Sequence, residues 1–133
     1  MVAFLYSQEM FQFPKKQKIC SHYAIERLFA NGKSISEKPF RVIWNFEENR
    51  DNVSLKSLIV VSKKRVKSAV ERNIVKRRIK EAYRIQKKKL ELFLETNNLQ
   101  LNLAIIYQEE EIIDYKSLEQ KINLLLNRLI SKI

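Results

Sequence analysis

SAVERNIVKRRIKEAYR, the stretch from Ser68 to Arg84, combines a helix start signal with one strongly basic face. In the capping box at its start, Ser68 accepts from the backbone N–H of Glu71, and the Glu71 carboxylate accepts from that of Ser68. Because neither Pro nor Gly interrupts the run, it predicts a helix of at least four turns. At about 100° per residue, the polar stripe of this helix points away from its apolar side chains. The stripe contains Arg72, Asn73, Lys76, Lys80 and Arg84, with Arg77 at its edge.

The positive charge of the chain is concentrated around this helix. Its 133 residues include 26 Lys or Arg and 15 Asp or Glu, for a net charge of +11. Thirteen of the basic residues lie between Lys63 and Lys89, where the acids are Glu71 and Glu81. Like charges four residues apart destabilise an isolated helix by about a few tenths of a kcal/mol per pair, so their accumulation indicates a polyanionic partner. A nucleic-acid backbone is favoured over an anionic membrane or a merely solvated face.

Length and composition predict one domain, at residues 19–133, preceded by an N-terminal arm at residues 1–18. Cys20 is the single cysteine, which excludes an intramolecular disulfide framework and a four-cysteine zinc site and fits a reducing cytoplasm. No apolar run is long enough to span a bilayer, so no membrane partner is expected.

The hydrophobic patterns predict three helices and four strands. A short helix begins at Ser21 or His22 and ends near Asn31, with Gly32 as its C′ residue. Strands are predicted at 33–36, 40–46, 57–62 and 101–107, and the strand at 40–46 alternates as a half-buried strand does. The basic helix extends or re-forms as far as residue 94, and Asp114 caps a final helix. This order predicts an α+β sandwich, a sheet with helices packed on it.

Nothing in the sequence predicts a catalytic centre formed by the protein itself. The chain contains neither a phosphate-binding Walker loop nor a zinc-protease motif, and His22 has no second histidine to form a dyad. Glu109, Glu110 and Glu111 are interpreted as a solvated turn, because adjacent carboxylates do not converge on one metal ion. We therefore expect no catalytic and no metal-binding residues.

The sequence VSKK at residues 61–64, followed by AVERNIVKRRIKEAYR at residues 69–84, resembles the signature of the protein subunit of bacterial ribonuclease P. The match falls on Arg72, Asn73, Lys76, Arg77 and Lys80. Two positions differ from the usual pattern, since Ile74 stands in place of the second arginine and Lys80 in place of the last one. The phosphate contact missing at Ile74 is either lost or moved to Arg78. The glycine that usually follows the lysine pair is also absent.

This resemblance implies an αβββαβα order of elements around one four-stranded mixed sheet. It also implies a division of labour in precursor-tRNA 5′ maturation, in which the RNA subunit with bound Mg²⁺ hydrolyses the phosphodiester. The protein, a cytoplasmic monomer on this reading, binds ribonuclease P RNA and the 5′ leader of precursor tRNA. An architectural nucleic-acid-binding or ribosome-associated protein is the alternative.

The resemblance assigns residues to two surfaces. Contacts to the catalytic RNA are expected from Lys63, Lys64, Arg72, Asn73, Lys76, Arg77, Lys80 and Arg84. The leader is expected in a cleft between the first helix and the sheet, formed by Ile25, Phe29, Ile43, Trp44 and Ser62. For Phe29 and Trp44, packing in the core is the alternative. Neither Arg72 nor Lys76 is expected to support the fold.

Overall fold

The computed structural model describes residues 18–19, 22–47 and 52–133. Of the predicted arm only Lys18 is described, and Cys20 and most of the turn at 47–52 lie outside the described residues. The elements are α1 (His22–Asn31), β1 (Lys33–Glu37), β2 (Phe40–Phe46), β3 (Leu55–Val61), α2 (Ala69–Thr96), β4 (Leu101–Tyr107) and α3 (Tyr115–Lys132). None of the helices in these ranges is long and apolar enough to cross a membrane.

The four strands form one mixed sheet in the order β1-β2-β4-β3. β2 pairs antiparallel with both β1 and β4, whereas β3 pairs parallel with β4. A parallel pair needs a crossover connection, and α2 provides it. The predicted α+β sandwich with its αβββαβα order and four-stranded mixed sheet is therefore confirmed.

The sheet is covered on both faces. α2 and α3 pack on one face and form the main core with side chains such as Val42 and Leu103. α1 packs on the opposite face, where Leu28 contacts a smaller apolar cluster. The prediction of a half-buried β2 was wrong, because Ile43 on one face and Trp44 on the other are 3% and 4% exposed. The α1 helix covers the face that the alternation assigned to solvent.

The long helix α2 begins and ends at local sequence signals. Ser68 has extended backbone angles, and its Oγ accepts from the N–H of Glu71 at 3.3 Å, which is one half of the predicted capping box. At the other end Asn98 adopts a left-handed conformation with a φ of 55°. The N–H of Leu99 then donates to the Leu94 carbonyl at 2.8 Å, as in a Schellman motif. The segment that could have re-formed after a break is thus one continuous helix of 28 residues.

Gly32 ends α1 for a reason that differs from the predicted one. A C′ glycine is usually needed for a positive φ, but no glycine in the described residues has one. A Cβ at this position would instead lie 2.5 Å from Cγ2 of Ile43 and would collide with the Leu28 carbonyl. Gly32 is therefore required because α1 and β2 approach each other closely here.

A buried hydrogen bond connects α2 to the sheet. Tyr83 is completely buried on α2, and its hydroxyl lies 2.8 Å from Oγ of Ser57, a buried residue of β3. Burial, more than any other cause, raises the pKa of Tyr83 far above its ordinary value of 10.0. Because a buried hydroxyl without a partner is costly, this pair holds α2 at one position along β3.

We expect the substitution Tyr83→Phe to lower the free energy of unfolding by about 1–2 kcal/mol at neutral pH, because the Ser57 hydroxyl loses its buried partner. Above about pH 10 an unfolded tyrosine ionises while Tyr83 keeps its proton, so the wild-type protein loses stability as the pH rises. Urea titrations between pH 7 and 11 should show a shallower loss for Tyr83→Phe than for the wild type. The control is Tyr23→Phe, since Tyr23 is 66% exposed. Parallel pH curves for wild type and Tyr83→Phe would contradict the assignment.

Candidate nucleic-acid interface

The basic stripe of α2 lies beside the face of the helix that contacts the core, and its outer edge is exposed. Val75 and Ile79 face the core with no exposed surface. Arg77 is exposed, whereas Lys76 and Lys80 are half-buried. In the part of the chain that the structure describes, none of these three cations lies within ion-pair distance of a carboxylate. α2 therefore presents unneutralised positive charge along its open face, where Asn73 is also exposed.

Arg72 has a structural role that the helical pattern did not predict. Its Nη1 donates to the carbonyl oxygens of Val66 and Lys67, at 2.9 Å each. These two residues belong to the loop that connects β3 to α2, and Val66 is 1% exposed. These contacts differ from the expectation that Arg72 does not support the fold, because its guanidinium bonds this loop to the first turn of the helix.

Arg84 is the member of the stripe that has an acidic neighbour. Its Nε and Nη2 donate to the two carboxylate oxygens of Glu81 at 3.2 Å and 2.9 Å. This hydrogen bond is the main cause that raises the pKa of Arg84 above its ordinary value. The Glu81 carboxylate neutralises much of the charge of Arg84. We therefore expect Arg84 to bind a phosphate less strongly than the three other cations, Lys76, Arg77 and Lys80.

Arg78 does not replace the cation that is missing at Ile74. Its Nη1 donates to the carbonyl oxygen of Ile113, just before α3, at 3.1 Å. The guanidinium therefore lies between α2 and α3 and not on the open stripe. Of the two alternatives for the Ile74 position, the structure favours a lost contact.

The loop from β3 to α2 adds exposed cations at the amino end of the helix. Lys63 and Lys64 are both exposed. The hydroxyl of Ser62 accepts from the backbone N–H of Lys64 at 3.0 Å, and its carbonyl accepts from Val66 at 3.0 Å. Ser62 thus shapes the turn that carries the two lysines. The amino end of a helix itself attracts anions, so these charges reinforce it.

The residues expected in the leader cleft divide between two sides of the sheet. Ile25 and Ile43 belong to the apolar cluster under α1, and Phe29 is 45% exposed. Trp44 lies on the opposite face, 4% exposed in the main core under α2 and α3. The core-packing alternative therefore holds for Trp44, which cannot stack on a base from that position. Ser62 is half-buried at the end of β3.

Leu58 and Ile106 belong to the α1 side of the sheet and were missed by sequence reasoning. Both are partly buried against the cluster that contains Ile43. The strand register places Leu58 opposite Ala104, which itself lies opposite Ile43, so these positions share one face. In β4 both faces carry apolar residues, and simple alternation therefore gave no signal. The strand pairing was needed to assign them.

The turn after β4 carries the three adjacent carboxylates, of which Glu110 and Glu111 are exposed. Among the described residues, no group of three or more His, Cys, Asp or Glu side chains could hold a metal ion. Near Glu109–Glu111, Arg65 donates through Nη1 to the Gln108 carbonyl at 3.3 Å.

Comparisons with known proteins identify relatives of the whole described domain. The family model described as Ribonuclease P matches residues 13–130. A ribonuclease P protein component from Porphyromonas gingivalis is 29% identical over 114 residues, which cover 86% of this chain and 83% of the relative. An RNase P protein structure from Staphylococcus aureus has a TM-score of 0.64 at 20% identity and covers 85% of this chain and 94% of that one. One from Thermotoga maritima has a TM-score of 0.62 at 21% identity, with 84% and 96% covered.

The two roles found in the stripe can be separated by paired substitutions. Arg72→Ala should lower the free energy of unfolding by about 1–3 kcal/mol, because two backbone carbonyls lose a charged donor. Lys76→Ala should leave it within about 0.5 kcal/mol of wild type, since Lys76 makes no such contact. Urea unfolding followed by circular dichroism measures both. Equal stability of the two variants would show that Arg72 does not anchor the loop.

Proposed function

The chain belongs to the ribonuclease P family, as a protein component of that enzyme, and from this premise we propose that it binds ribonuclease P RNA and the 5′ leader of precursor tRNA. The observation that carries the proposal is the open face of α2, where Lys76, Arg77 and Lys80 have no carboxylate partner among the described residues. Such cations contact phosphates, which fix the position of the protein on RNA without reading its sequence. Lys63 and Lys64 extend this surface to the amino end of the helix.

In this proposal the protein contributes binding, and the RNA carries the chemistry. Phosphodiester hydrolysis at neutral pH needs an activated water and stabilisation of the developing charge, which Mg²⁺ supplies. The described residues do not assemble a set of carboxylates that fits such an ion. In line with the division of labour that the resemblance implies, we propose that the RNA holds Mg²⁺ and that no protein side chain is catalytic. Neutralised phosphates allow the folded RNA to form at a lower Mg²⁺ concentration.

The leader is assigned to the surface beside α1. Phe29 is 45% exposed, and the partly buried Ile25, Leu58 and Ile106 provide an apolar surface on that side of the sheet. Unpaired bases stack on aromatic side chains, and each stacked base contributes about 1–3 kcal/mol. Because Trp44 is buried on the other face, Phe29 is the aromatic residue that we assign to stacking.

The protein is proposed to act as a monomer in the cytoplasm, with ribonuclease P RNA and precursor tRNA as its partners. The decisive assay mixes it with a bacterial ribonuclease P RNA at low Mg²⁺ and measures precursor-tRNA cleavage. The proposal predicts efficient cleavage by the mixture and none by the protein alone. Cleavage by the protein alone would indicate a free-standing nuclease. Displacement of the RNA by an equal amount of duplex DNA would indicate the alternative, an architectural nucleic-acid-binding protein.

Arg77→Gln should weaken RNA binding and flatten its salt dependence. If Arg77 neutralises one phosphate, the slope of log K against log salt should become shallower by about 1. Filter binding between 50 and 300 mM salt measures the slope, and Lys116→Gln on α3 removes the same charge as a control. An unchanged slope in Arg77→Gln would contradict the placement of RNA along α2.

Phe29→Ala should weaken the preference for a substrate that carries a leader. We expect affinity for precursor tRNA to fall by about 1 kcal/mol or more, while affinity for mature tRNA stays unchanged, because only the leader offers unpaired bases there. The measurement compares both tRNAs bound to the assembled holoenzyme. Leu124→Ala is the control, since Leu124 is 41% exposed on α3. Equal losses for both tRNAs would show that Phe29 does not contact the leader.

A further inference from the structure

The end of the N-terminal arm is attached to the free edge of the sheet. β3 is an edge strand, and Lys18 forms a parallel bridge with Ser57 at the edge of this strand. The N–H of Ile19 donates to the Ser57 carbonyl at 3.1 Å, and the Ile19 side chain is 6% exposed in the cluster under α1. Lys18 is therefore held at a defined position, although its own side chain is exposed.

Ser57 also connects this edge to the basic helix. Its hydroxyl bonds to Tyr83 of α2, while its carbonyl accepts from the N–H of Ile19, directly after the arm. Lys80 and Lys76 precede Tyr83 by about one and two helical turns, so they lie on the same side of α2 as Tyr83. Two independent contacts of one buried serine thus place the end of the arm and this side of α2 beside the same residue of β3.

The positive charges of Lys18 and Lys76 both act on Lys80. The pKa of Lys80 is lowered first by burial, and then by the positive charges of Lys18 and Lys76. No carboxylate of the described residues lies within ion-pair distance of any of the three. Three like charges held together without a counterion disfavour the folded arrangement, and a bound anion would remove that repulsion.

We propose that Lys18, Lys76 and Lys80 form one binding site for a single RNA phosphodiester group, and that docking of the arm on β3 completes this site. The inference rests on the proposed RNA-binding function and adds to it a residue outside the basic helix. A phosphate has several acceptor oxygens, so cations from two elements can share it. The arm then contributes directly to assembly with the RNA.

A mutant cycle tests whether one phosphate is shared. We would measure binding to a bacterial ribonuclease P RNA at several salt concentrations for wild type, Lys18→Gln, Lys80→Gln and the double variant, with Lys116→Gln as the control. Loss of one phosphate contact should weaken binding about fivefold near 0.15 M salt and make the slope shallower by about 1. If the two lysines share one phosphate, their effects should be non-additive. The double variant should then lose about as much affinity and as much salt slope as each single variant.

Two results would overturn the shared site. If Lys18→Gln behaves like Lys116→Gln while Arg77→Gln still weakens binding, the role of the arm is refuted and the proposed function stands. Additive losses, with a slope shallower by about 2 in the double variant, would mean two separate phosphates. If the wild-type protein does not bind the RNA, the proposed function and the shared site both fall. Matching circular dichroism melts for all variants would exclude a folding defect as the cause.

Discussion

Burial of one face of α2 is the constraint on which the rest of the structure depends. Val75, Ile79, Ala82 and Tyr83 have no exposed surface, and full burial of a large apolar side chain contributes about 1.5–3 kcal/mol. Each like-charge pair along the open face costs only about a few tenths of a kcal/mol. Packing against β3 and α3 therefore holds the helix in place despite its charge, and the Tyr83–Ser57 hydrogen bond sets its position along β3.

Anchoring of this kind separates the basic residues into different roles. Arg72 holds the loop before the helix, and Arg78 bridges to the segment before α3. Arg84 is neutralised by Glu81, whereas Lys76, Arg77 and Lys80 remain without a carboxylate partner in the described residues. Some basic residues of the stripe thus make contacts within the protein, and the others form a surface available to an anion. The backbone of the available part is fixed in a helix, so its ordering cost was met during folding and does not weaken binding.

Sequence reasoning predicted those elements whose signals are local. Ser68 and Asp114 cap their helices as expected, and strand β4 has the predicted bounds. Alternation also placed Ile43 and Trp44 on opposite faces of β2, but it assigned the Ile43 face to solvent, because that face also carries Arg41 and Asn45 and its covering by α1 is a contact between elements. The anchoring role of Arg72 and the position of Lys18 beside Ser57 were not predictable either. Both depend on contacts between segments that no periodicity encodes.

The central claim is that the open face of α2 lies against RNA. Lysine acetylation read by mass spectrometry, with and without a bacterial ribonuclease P RNA, tests this directly because each lysine reports its own accessibility. We expect the RNA to protect Lys76 and Lys80, while Lys116 and Lys132 on α3 react equally in both states. Equal reactivity of Lys76 and Lys80 in both states, with the RNA demonstrably bound, would contradict it.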